Sequence, residues 1–208
     1  MLARYETISS RVETELEVSR SRFLTVLDRV ETEAEARAVI AGVRDAHPRA
    51  RHHCTAFVLG PDSRVQRCSD DGEPSGTAGM PMLDALTAAG FSDVVAVVTR
   101  YFGGVLLGAA GLTRTYRAAV AGAVAQAPRV LRVLRVEAQV VADYRCAPQI
   151  EAEARRRGWA VGPAEYGEAV TLHLYAAPQE CDAMSAVVSE LSAGRSTVEF
   201  GESQFVDA

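Results

Sequence analysis

Residues 93–128, DVVAVVTRYFGGVLLGAAGLTRTYRAAVAGAVAQAP, carry the reading of the fold. Their first ten residues are mostly apolar and β-branched, and a continuous run of that kind suits a strand buried on both faces. Gly103, Gly104, Gly108 and Gly111 follow as a loop, and small residues then continue as a long helix closed by Pro128. A glycine-rich loop between a buried strand and a helix exposes backbone N–H groups at the positive end of the helix dipole, an arrangement that favours an anion. Arg100 before the loop and Arg114 inside the helix could add charge-assisted, bidentate bonds to a phosphate. Tyr101 and Phe102 supply the aromatic faces on which a base would stack. The spacing is neither GxGxxG nor the Walker pattern, and the latter needs a lysine, of which the chain has none. Glycines required for chain geometry alone are the competing explanation.

A second loop precedes this unit, in CSDDGEPSGTAGMPML at residues 68–83. Its carboxylates Asp70, Asp71 and Glu73 suggest a metal, with His52 and His53 as further ligands, or an acid and base. Adjacency argues against the metal, because on an extended chain Asp70 and Asp71 point to opposite faces. Asp71-Gly72 is common turn chemistry, and Ser75 or Thr77 can cap the helix that follows. His52, His53, Ser75 and Asp71 match no nucleophile elbow or zincin motif. Neither a metal nor a cofactor is therefore assigned. With Gly76 at its centre, this loop and the one after Arg100 could line one groove.

Further outward, RVETELEVSRSRFLTVLDRV alternates like a strand, and TEAEARAVIAGVRDAHP reads as a helix with Thr32 and Glu35 at capping-box spacing. CTAFVLG and RVQRCS around Pro61-Asp62-Ser63 form a β-hairpin, and MPMLDALTAAG is a helix stopped by Gly90. From Val130 the pattern changes to strand, helix, two strands, helix and strand, the ferredoxin-like βαββαβ order. The fold class is α+β, with an N-terminal domain over residues 1–135 and a smaller domain over residues 136–208.

Charge divides near the same place. Residues 1–135 carry 17 Arg against 15 acidic residues, a net of +2, and residues 136–208 carry 5 against 12, a net of −7. Hydrophobic residues make up 48% of the 208, enough for buried cores, and no apolar run approaches the roughly 20 residues of a membrane span. The charged start MLARYETISSRVETELEV is unlike a signal peptide, so a cytoplasmic protein without membrane contact is expected. Cys54, Cys68, Cys146 and Cys181 form no CxxC pair, which points to reduced thiols rather than a zinc or redox site.

Taken together, SDDGEPSGTAGMPML and VVTRYFGGVLLGAAGLTRTYRAA strongly resemble the IMPACT (YigZ-like) family, with SRSRFLTVL and HPRARHHCTAFVLG where that family has further blocks. The resemblance implies an N-terminal fold like the second domain of a small-subunit ribosomal protein. It implies a tail like domain V of elongation factor G. Eukaryotic members of the family regulate translation initiation by binding a ribosome-associated activator of a stress kinase. Met80 and Leu106 stand where the family commonly has basic residues, and Ala110 replaces a usual glycine. The expected function is a non-enzymatic binding protein linked to translation, contacting ribosome, RNA or a translation-associated protein through the groove. The alternative is a Mg²⁺-dependent enzyme acting on a phosphorylated small molecule or nucleotide.

Overall fold

The computed structural model describes residues 3–208. The chain divides into two compact units, one ending at Arg132 and taking in Ala208, the other spanning Val133–Asp207. The first contains β1 (Arg4–Ile8), β2 (Val12–Val18), β3 (Ser21–Arg29), α1 (Glu33–Ala46), β4 (His52–Leu59), β5 (Val65–Ser69), α2 (Gly79–Ala88), β6 (Val94–Tyr101) and α3 (Gly108–Gln126). β7 (Arg129–Ala142) follows, and the second unit continues with α4 (Ala147–Arg156), β8 (Ala160–Val161), β9 (Glu165–Tyr166), β10 (Val170–Ala176), α5 (Cys181–Ser192) and β11 (Thr197–Asp207). Both units mix helices with antiparallel strands, so the protein is α+β.

The five-stranded sheet of the first unit runs β2-β3-β6-β4-β5. Its central strand β6 is buried on both faces, as its apolar run requires. Val94, Ala96 and Val98 belong to the core shared with α2 and α3, whereas Val95 and Val97 pack in a second core with Ala36 and Val43 of α1. Each fully buried Val or Leu contributes about 1.5–3 kcal/mol, so two such layers fix the sheet firmly. Period-two alternation carries the α2/α3 face from Val98 to Arg100, beyond the last apolar residue of that row. Arg100 lies in register with Phe23 of β3 and His52 of β4, so these three residues form the last rung on the helix-covered face.

The strand-like run through SRSR is a hairpin: β2 pairs with β3, and Ser19 and Arg20 make the turn with φ of 50° and 63°. Neither residue is the Gly or Asn that normally marks such a turn, which is why alternation alone ran straight through it. Gly103 is needed here for space. A Cβ on it would lie 2.0 Å from the carbonyl carbon of Arg20.

In the second unit β10 pairs antiparallel with β7, β8 and β9, and β11 pairs with β7. The order β11-β7-β10-β8 is that of a ferredoxin-like sheet. The first of the two strands expected between the helices is instead two short pieces, β8 and β9. Gly162 still donates to His173 O at 2.8 Å, but Pro163 has no N–H with which to continue the ladder. Ala138, Val140, Leu172 and Leu174 face Ile150 of α4 and Met184 and Val188 of α5. The basic EARRRG run is a solvated helix face, with Glu151–Arg155 and Glu153–Arg157 ion pairs at i,i+4 spacing. No helix among the described residues is long and apolar enough to cross a membrane.

Candidate functional site

The loop after β5 is held by its own acidic residues. Asp70 accepts backbone hydrogen bonds from Gly76 N (2.8 Å), Ala78 N (2.9 Å) and Gly79 N (2.8 Å), capping α2 from upstream in sequence. Ser75 and Thr77 do not cap that helix. Ser75 is exposed, and the Thr77 hydroxyl donates to Pro74 O at 2.6 Å. Partial burial pushes the Asp70 carboxyl upward, but the three N–H donors outweigh this and hold it below the usual carboxylate range.

Asp71, at φ 43°, turns the other way. Its Oδ1 accepts from Arg44 at 2.7 Å and its Oδ2 from the His53 backbone N–H at 2.7 Å, while its carbonyl accepts from His52 Nδ1 at 2.9 Å. His53 Nε2 donates to His47 O at 3.2 Å, and desolvation keeps this buried imidazole below its ordinary pKa. The His47 ring Nδ1 meets the Tyr101 hydroxyl at 3.1 Å.

Glu73 is buried, with Oε1 2.7 Å from Arg100 Nη1 and 2.7 Å from the Tyr116 hydroxyl. Burial raises the tyrosine's pKa, so it remains a neutral donor. Neighbouring Cys54 is pushed up to about 12 by burial, leaving a thiol rather than a nucleophilic thiolate. The three carboxylates thus have three separate tasks. Asp71 Oδ2 also lies 3.8 Å from His53 Nδ1, with the carboxylate held by Arg44 and the ring by His47 O.

Two cavities adjoin Arg100. One, of about 390 Å³, is bordered by Arg51, His52, Glu73, Arg100, Phe102 and the amino end of α3 at Gly108 and Ala109. An adjoining one, of about 420 Å³, is bordered by Arg49, Ala50, Arg51, His52, Arg100, Tyr101 and Phe102. The Arg100 guanidinium lies 5.4 Å from the Phe23 ring centroid and 5.6 Å from that of Phe102. Phe102 is 53% exposed and Leu106 86%, so the rim is aromatic and aliphatic as well as basic. The uncharged Leu106, at a position that the resemblance makes commonly basic, adds apolar surface there.

Of the residues expected in one groove, Glu73, Arg100, Tyr101, Phe102 and Gly108 border these cavities. Asp70, Asp71, Ser75, Gly76, Thr77, Gly103, Gly104, Gly111 and Arg114 do not. Arg114 lies two residues past Leu112, about 200° around α3 from a residue that borders the cavity. Arg49 and Arg51 were not anticipated. Both are exposed, and neither has an ion-pair partner among the described residues. No local signal in the sequence sets them apart from the chain's other arginines.

Residues 19–124 match the Impact N-terminal domain, and residues 140–195 match a domain of unknown function, DUF1949. The chain is 39% identical over 207 residues to the IMPACT family member YvyE of Bacillus subtilis (strain 168), spanning 100% of this chain and 95% of that protein. It is 37% identical over 205 residues to an IMPACT family member of Haemophilus influenzae, spanning 97% and 98%. With YigZ of Escherichia coli (strain K12) the identity is 47% over 121 residues, 57% of each chain. A crystal structure of a hypothetical protein superposes with a TM-score of 0.68 at 33% identity, covering 97% of this chain and 99% of that one. The chain belongs to the IMPACT family.

Proposed function

We propose that this IMPACT-family protein is a non-enzymatic RNA-binding protein of the translation machinery, gripping single-stranded ribosomal or messenger RNA along the two adjoining cavities. The observation that supports this reading is the pair of exposed arginines that have no ion-pair partner among the described residues, Arg49 and Arg51, set beside Arg100, Tyr101 and Phe102. Arginine forks match phosphate oxygens, and an exposed ring accepts a base from any sequence. Such a surface tracks backbone and base faces without reading base edges, which predicts weak sequence preference. The link to translation rests on the family resemblance.

The test is co-sedimentation with purified ribosomes, together with anisotropy of a labelled 12-nucleotide single-stranded RNA. Wild type should pellet with ribosomes and bind the RNA, and the double variant Arg49→Ala, Arg51→Ala should lose at least about tenfold in affinity, two phosphate contacts being removed. Unchanged binding by the double variant would overturn the proposal.

A further inference from the structure

Within that groove, and resting on its assignment as an RNA site, we infer a dedicated phosphate subsite formed by the amino end of α3 and the Arg100 guanidinium. α3 begins without a side-chain cap: Leu107 occupies the N-cap position, and the first turn carries no acidic residue. Its initial N–H groups therefore lack the side-chain acceptor that most helices supply at this end. The residues at this end are Gly108, Ala109, Ala110 and Gly111, none larger than a methyl group. Nothing lies within 4 Å of the position a Cβ would take on Gly108, so a tetrahedral anion can approach the backbone itself.

Arg100 provides an independent indication. It is only 7% exposed, it borders both cavities, and its Nε makes no hydrogen bond. Glu73 engages Nη1 alone. Nε itself is sealed from solvent, so the part of Arg100 left to meet a phosphate oxygen in the cavity is the guanidinium edge that Glu73 does not hold. Arg51 and His52 border the same space, and His52 donates Nδ1–H to Asp71 O, which orients its ring. The cavity, about 390 Å³, is within the size range that encloses a small ligand, and its remaining wall of Phe102, Leu106, Leu107 and Leu112 is apolar. A phosphate at α3 with a base against Phe102 and Leu106 uses both surfaces. The ligand class is a nucleotide phosphate, held either as one unit of an RNA strand or as a free mononucleotide.

The decisive experiment titrates the ¹⁵N-labelled full chain with inorganic phosphate, AMP and the 12-nucleotide RNA, with sodium chloride at matched ionic strength as control. The Gly108, Ala109 and Gly111 amides report directly on the subsite. Saturable shifts of these amides with phosphate and AMP, absent with chloride, are expected. Ala109→Glu, which sets a carboxylate at the exposed helix end, should weaken phosphate binding at least tenfold while the melting temperature stays level or rises. If those amides fail to shift, or the variant binds phosphate as wild type does, the subsite is overturned. RNA binding lost in the Arg49, Arg51 double variant but intact in Ala109→Glu would also remove the subsite and leave the groove reading standing. Phosphate or AMP binding at these amides without any RNA binding would keep the subsite and remove the RNA reading, leaving a free nucleotide as the ligand.

Discussion

The loop at residues 69–79 and the wall formed by residues 49–52 and 100–109 are both rich in glycine or charge, and both adjoin strands of one sheet. Their side chains are used in opposite ways. In the loop every carboxylate is engaged inside the protein: Asp70 with the backbone at α2, Asp71 with Arg44 and His53, and Glu73 with Arg100 and Tyr116. Along the wall, Arg49 and Arg51 have no ion-pair partner among the described residues and α3 has no side-chain cap. A ligand site needs hydrogen-bonding capacity that the fold has not already used, and the wall retains it at Arg49, Arg51 and the amino end of α3.

Breaking the loop should therefore cost stability, and the largest effect should come from Glu73→Ala. Removing the anion leaves Arg100 buried without a counter-charge, a loss of about 3–5 kcal/mol for such a pair. Urea denaturation measures it, and the added change Arg100→Met should recover part of that loss by removing the stranded charge. Gly103→Ala comes next, at about 1–3 kcal/mol, because its Cβ would meet backbone rather than a flexible side chain.

Asp70→Ala should cost about 1–2 kcal/mol, the range for a helix cap. Its pH signature is specific. The folded-state pKa of Asp70 lies below its unfolded value, so the contribution is complete above the unfolded pKa of about 3.9 and fades as pH falls through the folded value. His53 acts at higher pH: its folded pKa also lies below its unfolded one, so below about 6.5 the unfolded chain gains the proton first and stability declines. Acid titration of stability should show an upper step removed by His53→Gln and a lower one that Asp70→Asn shrinks, Glu15, Asp143 and Glu153 also being held below the usual carboxylate range by their hydrogen bonds.

The smallest stability effects belong to the wall. Arg49→Ala and Arg51→Ala should each shift unfolding by no more than about 0.5 kcal/mol, since both are exposed side chains with no ion-pair partner among the described residues. A large loss of stability from either would contradict the division drawn between loop and wall.

Much of this was legible in the sequence. The apolar run of β6 gave away a strand buried on both faces, and period-two counting from Val98 assigns Arg100 to the helix-covered face. Helical geometry, applied to Arg114, already separates it from Leu112 by about 200°. The adjacency of Asp70 and Asp71 correctly argued that they diverge. What sequence could not show is which charges are neutralised, because the partners are remote: Glu73 meets Arg100 across 27 positions, and Arg44 meets Asp71 across the same separation. Arg49 and Arg51 look in sequence like any of the 22 arginines. Only the tertiary fold distinguishes them from arginines already held in ion pairs. Similarly, the turn at Ser19 and Arg20 adopts positive φ without the residues that usually announce it.

The salt dependence of RNA binding tests the central claim most directly, because it counts the phosphates contacted rather than affinity alone. For the double variant Arg49→Ala, Arg51→Ala, the slope of log affinity against log salt should become shallower by about 1.4, two single-strand phosphate contacts at about 0.7 each. A variant that binds with the same affinity and the same slope as wild type would contradict the account.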